Sequence, residues 1–173
     1  MTSFSSGTFR GCTSLETISI PVSVTYLNTQ VFYLCNNLKE IHCQSGVAPI
    51  ATVDTYDSQF ESTIIYVTTG AISNYKTTSG WCMFSNYKED PKLSYIGKSD
   101  LKSDNVSLTN DTLYCNLTSD EIGNLRDYVL GRASDLGSIK HAVLSGYLSD
   151  ADFSFLAALA SAYQLASLDY MAL

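Results

Sequence analysis

Thr8-Phe9-Arg10-Gly11-Cys12-Thr13-Ser14-Leu15-Glu16-Thr17-Ile18-Ser19-Ile20 is answered further along the chain by Val31-Phe32-Tyr33-Leu34-Cys35-Asn36-Asn37-Leu38-Lys39-Glu40-Ile41-His42-Cys43. Phe9, Cys12, Leu15, Ile18 and Ile20 recur as Phe32, Cys35, Leu38, Ile41 and Cys43, all at one offset of 23 positions. A constant offset at these positions marks one structural unit used twice. Such a unit cannot bury its apolar edge alone and needs a neighbour above and below. Within each copy the spacing L-x-x-I-x-I or L-x-x-I-x-C predicts a short strand. Alternation sends Ile18, Ile20, Ile41 and Cys43 inward and leaves Thr17, Ser19, Glu40 and His42 facing out. Pro21 suits the strand end, where a missing N–H is tolerated. Stacked strands would align the outward residues in one patch, which makes Thr17, Ser19, Glu40 and His42 the candidate ligand-binding residues.

A period in the low twenties belongs to leucine-rich repeats. The pattern F-x-x-C-x-x-L-x-x-I, with Pro21-Val22-Ser23-Val24 after the first copy, resembles the BspA-like leucine-rich-repeat surface proteins. The resemblance continues through Ile64-Ile65-Tyr66-Val67 and through Tyr75-Lys76 to Gly80-Trp81, which are similar to the family's terminal strand and closing segment. A second echo, Leu144-Ser145-Gly146 with Asp152-Phe153 and Leu168-Asp169, resembles the region that opens such arrays. The resemblance implies an α+β chain: the end of a leucine-rich-repeat β-solenoid over residues 1–92, then a small α/β module over 93–173 resembling the start of a second array. It also implies an interaction or adhesion role at the cell surface or in secreted form. The partner would be an extracellular protein or glycan, with no cofactor and no metal.

The composition agrees with a folded domain: 45% of residues are hydrophobic and 16% charged. A net charge of −7 and a pI near 4.6 argue against nucleic acid and against docking on anionic lipid. No apolar run reaches the ~18 residues that span a bilayer, so membrane insertion is not expected. Met1 to Gly7 carries neither a basic flank nor an apolar h-region, and from Phe4 onward the sequence already reads as repeat. The chain therefore reads as a fragment of a longer protein. Among the five cysteines none are spaced as C-x-x-C; Cys12 and Cys35 should fill the interior one rung apart.

Residues 44–62 read as a connecting loop that can hold a short turn of helix, and Ile64 to Val67 as a further strand. Residues 71–84 should close the stack, with Tyr75, Trp81 and Phe84 covering apolar surface. The charged run Lys88-Glu89-Asp90-Pro91-Lys92 marks the boundary between the two units. Beyond it, Val106 to Leu108 and Leu113 to Leu117 flank a turn at Asn110-Asp111. Thr118-x-x-Glu121 and Ser149-x-x-Asp152 are capping boxes. The first precedes Ile122, Leu125 and Val129 at helical spacing; the second precedes Phe153, Leu156, Ala160 and Tyr163 on one face. Ala142 to Leu144 and Ala166 to Leu168 read as strands, giving the order β-β-α-β-α-β. The last strand is expected to be an unpaired apolar edge, and exposed repeat edges leave self-association open.

Little here carries chemistry. The two histidines, His42 and His141, lack a nucleophile elbow or other supporting motif, and His141 beside Lys140 reads as solvated. Asp150 and Asp152 read as helix-start carboxylates, because the further oxygen ligands of a calcium loop are absent. Sequons begin at Asn105, Asn110 and Asn116 and read as polar turns. Tyr26, Tyr33, Tyr56 and Tyr66 could line a recognition surface or edge a thin core. No catalytic residue is assigned, and the chain is read as non-enzymatic. The alternatives are a structural spacer without a ligand and, third, a hydrolase, which needs His42 or His141 in a pocket beside a carboxylate or thiol.

Overall fold

The computed structural model describes residues 2–52, 55–56, 58–94, 106–109, 111–117, 123–130, 136–146 and 148–171. The repeated motif forms β2 (Thr17–Ile20) and β4 (Glu40–Cys43), which pair in parallel with Ile18 against Ile41 and Ser19 against His42. The same register continues to β6 (Ile64–Val67) and β7 (Asn86–Glu89), placing Ile65 beside Ile41 and Tyr87 beside Ile65. On the other wall, β1 (Thr2–Phe4), β3 (Val24–Leu27) and β5 (Ile50–Ala51) make a small parallel sheet. The chain is α+β: mostly parallel strands in open sheets, with a few short helices.

Between the walls runs an aromatic column. Phe9 stacks on Phe32 with centroids 5.9 Å apart and planes 6° off parallel, and Phe32 stacks on Tyr56 at 5.7 Å. Backbone bonds hold the turns that carry these rings in step: Phe9 N–H donates to Val31 O, and Phe32 N–H to Thr55 O. Tyr56 is therefore core, not recognition surface. Burial pushes its hydroxyl's pKa well up. Within residues 44–62 the helical turn is the 3₁₀ segment Ser58–Ser62, and the strand β5 is added to what the sequence suggests. All five cysteines are thiols. Cys35 Sγ donates to Phe9 O at 2.9 Å and Cys12 Sγ to Ala157 O at 3.6 Å, so both fill the interior with a weak bond each.

The aromatic residues that follow β6 pack inside. Helix α1 (Ile72–Thr77) buries Tyr75, and the following turn buries Trp81 and Phe84. The Trp81 indole N–H donates to Pro49 O at 2.7 Å, and Tyr87 Oη donates to Trp81 O at 2.7 Å. Outside them, the edge strand β7 carries Lys88 and Glu89, charges that discourage further strand addition.

The second half runs β8 (Val106–Thr109), β9 (Thr112–Leu117), α2 (Leu125–Leu130), β10 (His141–Gly146), α3 (Asp150–Ala162) and β11 (Ser167–Met171). This is the order β-β-α-β-α-β. The hairpin pairs Thr109 with Thr112, while β9, β10 and β11 are parallel. Ser149 caps α3 in a full capping box with Asp152, so Asp152 is a structural carboxylate. The box at Thr118 and Glu121, and the sequon residues Asn105 and Asn110, lie outside the described residues.

One expectation is overturned. The last strand, β11, is not an unpaired edge: it pairs in parallel with β2, Ser167 against Thr17 and Leu168 against Ile18. The large sheet thus has eight strands in the order β7-β6-β4-β2-β11-β10-β9-β8. Strands late in the chain sit on the near side of the first repeat. Leu168, 2% exposed, covers the flank of Ile18 that no earlier residue of the chain covers, and Phe153 meets Phe4 edge-on at 4.9 Å. Fully burying side chains of this size contributes about 1.5–3 kcal/mol each. That gain, with the ladder bonds, explains why the two halves join.

Candidate functional site

Strand alternation leaves one face of the eight-stranded sheet outside, and the register fixes what stands on it. Thr17, Glu40, Ile64 and Asn86 form one row; Ser19, His42, Tyr66 and Lys88 form the next. The four residues expected from sequence, Thr17, Ser19, Glu40 and His42, are thus brought together as adjacent members of two rows. Thr17, Glu40 and His42 are half-buried, while Ser19 is only 7% exposed. The cover over Ser19 comes from the second half of the chain, where Asp169 accepts a hydrogen bond from Ser19 Oγ at 3.2 Å.

From His42 to Lys88 the second row is tied together. His42 Nε2 lies 3.2 Å from Glu40 Oε2. The imidazole stacks on Tyr66 at 4.6 Å with planes 11° apart. Lys88 Nζ stands 5.7 Å from the centre of the same tyrosine ring. Because β4 and β7 flank β6 on opposite sides, His42 and Lys88 take the two faces of Tyr66. What remains outward is a rigid ridge of ring edges, a phenol, an imidazole, an ammonium and two carboxylates (Glu40 and Asp169). Each member is held by a neighbour, so little rotamer entropy is left to lose on binding. Beside the ridge, Ser62, Ile64, Ser85, Asn86, Tyr87 and Lys88 line an open hollow of about 350 Å³.

Tyr66, Lys88 and Asp169 were not singled out from sequence as binding residues beyond Tyr66's place among the tyrosines. The first two could have been found by carrying the repeat register forward, from His42 to Tyr66 to Lys88. Asp169 could not, because no local spacing announces that β11 lies beside β2.

At the other end of the face, Ser167 Oγ lies 2.7 Å from His141 Nδ1, and Asp111 Oδ2 lies 3.9 Å from His141 Nε2. His141 is therefore tied into the sheet, not merely solvated. These are the residue types of an acyl-transfer relay, but the setting differs from one. Ser167 sits in a regular strand instead of on a sharp turn, and the His141 and Asp111 side chains are 44% and 53% exposed. Water would compete for every bond that a relay depends on. His42, the other histidine, stands on a ridge rather than in a pocket. Among the described residues, no group of three or more His, Cys, Asp or Glu is placed to hold a metal ion.

Among the described residues, no helix is long and apolar enough to cross a membrane. No curated protein matches the chain. The model of the BspA-type leucine-rich-repeat region matches residues 2–124 in six copies, which takes in both rows of the outward face and the hairpin β8–β9. With most of its length matched by that repeat, and with the repeats paired strand to strand in register, the chain belongs to the BspA-type leucine-rich-repeat family.

Proposed function

We propose that this chain is a non-enzymatic interaction module of the cell surface or of a secreted protein, which binds an extracellular protein through the outward rows of its large sheet. The strands read as coils of a solenoid. Residues 1–92 end one array and residues 93–173 open another, and Thr17, Ser19, Glu40 and His42 stand at the middle of the face they share. The observation that carries this reading is the fixed ridge Asp169–Ser19–His42–Tyr66–Lys88, which offers donors, acceptors and both signs of charge on a rigid support. A protein is favoured over a glycan because His42 and Lys88 already occupy the two faces of Tyr66, and a sugar ring needs an open aromatic face to stack on. Family membership supports the interaction role and names no partner.

The test is equilibrium binding of the purified chain to panels of extracellular-matrix proteins and glycans, beside the double variants Thr17→Arg/His42→Ala and Tyr66→Ala/Lys88→Ala. Saturable binding to a protein is expected. It should weaken by at least about tenfold in either variant, as truncating central anchors typically costs ~2 kcal/mol or more. Binding unchanged in both variants would move the site off this face. A folded chain that binds nothing on either panel would leave the spacer reading.

A further inference from the structure

We infer that Cys12 and Cys35 are a peroxide-sensitive pair, two thiols that close to a disulfide across the first two turns of the repeat. Both hold the same position of the repeated unit, and the turns that carry them are held in step on either side. Gly11 N–H donates to Tyr33 O at 2.8 Å before the pair, and Asn37 Nδ2 donates to Thr13 O at 2.6 Å after it. Three residues earlier in each copy, the Phe9 and Phe32 rings stack at 5.9 Å. Backbone segments bonded side by side in this way lie about 4.8 Å apart. That spacing falls within the range of about 4.4–6.8 Å between α-carbons that a disulfide bridges without moving the backbone. The side chains already meet, because Cys35 hydrogen-bonds to Cys12.

The two sulfurs have different roles. Cys35 S–H, which donates to Phe9 O while both groups are thiols, is the donor that meets the Cys12 sulfur when it ionises. That bond lowers the Cys12 thiol pKa and outweighs the burial that raises it. Cys43, in the same core, goes the other way: desolvation outweighs its bond to Tyr75 and pushes its pKa well up. Cys12 is thus the nucleophile and Cys35 the resolving thiol. Both are buried, but exposed Thr13 follows Cys12, and exposed Leu34 and Asn36 flank Cys35. A molecule as small as hydrogen peroxide fits that setting, and a bulky disulfide does not.

In the first step the Cys12 thiolate attacks one oxygen of the peroxide. The S–O bond forms, the O–O bond breaks, and the departing hydroxide takes up the proton that Cys12 lost, leaving as water. In the second step the Cys35 sulfur attacks the Cys12 sulfur of the sulfenic acid. The S–S bond forms, the S–O bond breaks, and the oxygen leaves with the Cys35 proton as a second water. The two thiols lose two electrons, and the peroxide gains them. Closure also removes the proton by which Cys12 Sγ reaches Ala157 O at 3.6 Å, a contact of α3 beside the joint of β11 with β2. The pair lies in the core, so the inference stands whether or not the outward face binds a partner.

The test treats the folded full chain, carrying Cys82→Ser to remove the exposed thiol, with hydrogen peroxide. Catalase stops the reaction, the remaining thiols are alkylated in denaturant, and the unreduced peptides are mapped by mass spectrometry. The expected product is one cross-linked pair joining the Cys12 and Cys35 peptides, lighter by two hydrogens, with Cys43 and Cys115 alkylated. Cys12 and Cys35 alkylated as fully as Cys43 would overturn the inference. Adding Cys35→Ser removes the resolving sulfur, and dimedone should then trap Cys12 as its sulfenic acid at least about tenfold more than Cys43. A Cys43 adduct as abundant as that of Cys12 would equally overturn it. If the Cys35→Ser chain does not fold, the peptide map of the Cys82→Ser chain alone decides.

Discussion

Asp152→Ala should be the most damaging single substitution in the second half of the chain, lowering stability by about 4 kcal/mol. The carboxylate is 1% exposed and accepts four hydrogen bonds. Gly123 N–H donates at 2.8 Å, Leu125 N–H at 3.0 Å, and the Ser149 backbone N–H and hydroxyl at 2.8 Å each. One side chain thus caps α3 and also anchors the segment that leads into α2. Alanine would leave backbone N–H groups in a largely closed site without an acceptor, and each such orphan costs about 1–3 kcal/mol. Asp152→Asn, which keeps one acceptor oxygen, should lose roughly half as much. Urea unfolding followed by circular dichroism measures both. Because α3 carries Phe153 against Phe4, the loss should also loosen the joint, and the β2 amides should exchange faster in the alanine variant.

Gly80→Ala is expected to cost about 3 kcal/mol, a fall in Tm of roughly 6–12 °C for a domain of this size. Two effects add. Gly80 has φ of +82°, where a side chain is strained. A Cβ there would also lie 2.6 Å from Ala51 O and 2.7 Å from Ala51 Cβ. Ala51 cannot retreat, because β5 is held to β3 through the pair Leu27–Ala51. The displaced turn would carry Trp81 with it, and its indole bond to Pro49 would lengthen. Gly11→Ala separates the two effects: its φ is +72°, but nothing lies within 4 Å of the added carbon. That variant should lose only about 1–2 kcal/mol, from backbone strain alone. Equal losses at the two positions would show that the contact with Ala51 does not matter.

These residues also show what the sequence could disclose. The repeat Phe9/Phe32, Leu15/Leu38, Ile18/Ile41 is visible because core contacts between stacked units demand the same residue type at each level. From it follow the strands β2 and β4 and the outward set Thr17, Ser19, Glu40 and His42, while β6 is legible only as its own β-rich run, Ile64 to Val67. The capping box at Ser149 is legible because its bonds are local. The third level was hidden because polar residues hold buried positions there. Tyr56 stands where Phe9 and Phe32 stand, and Thr63, 1% exposed, is kept inside by its hydroxyl's bond to Leu38 O at 2.9 Å. Strands β1, β3 and β5 are only two to four residues long, too short for alternation to register. The join between β11 and β2 was out of reach for a different reason. It pairs segments 150 positions apart, and either edge looks, by composition, like a strand awaiting any neighbour.

That join carries the rest: without it Ser19 is uncovered, the ridge loses Asp169, and there is no common face. The measurement that tests it most directly is amide hydrogen exchange resolved by residue in the unmodified chain. Glu16 and Thr17 donate to Ala166 O across the joint, while Lys39 donates to Glu16 O and Ile64 to Lys39 O within the repeats. The four amides occupy equivalent places, so the last two calibrate the first two. Protection of Glu16 and Thr17 within about tenfold of Lys39 and Ile64 is the predicted result. Exchange of Glu16 and Thr17 at the rate of an open strand edge, with Lys39 and Ile64 still protected, would show that β2 ends the sheet and that the two halves of this chain do not share a face.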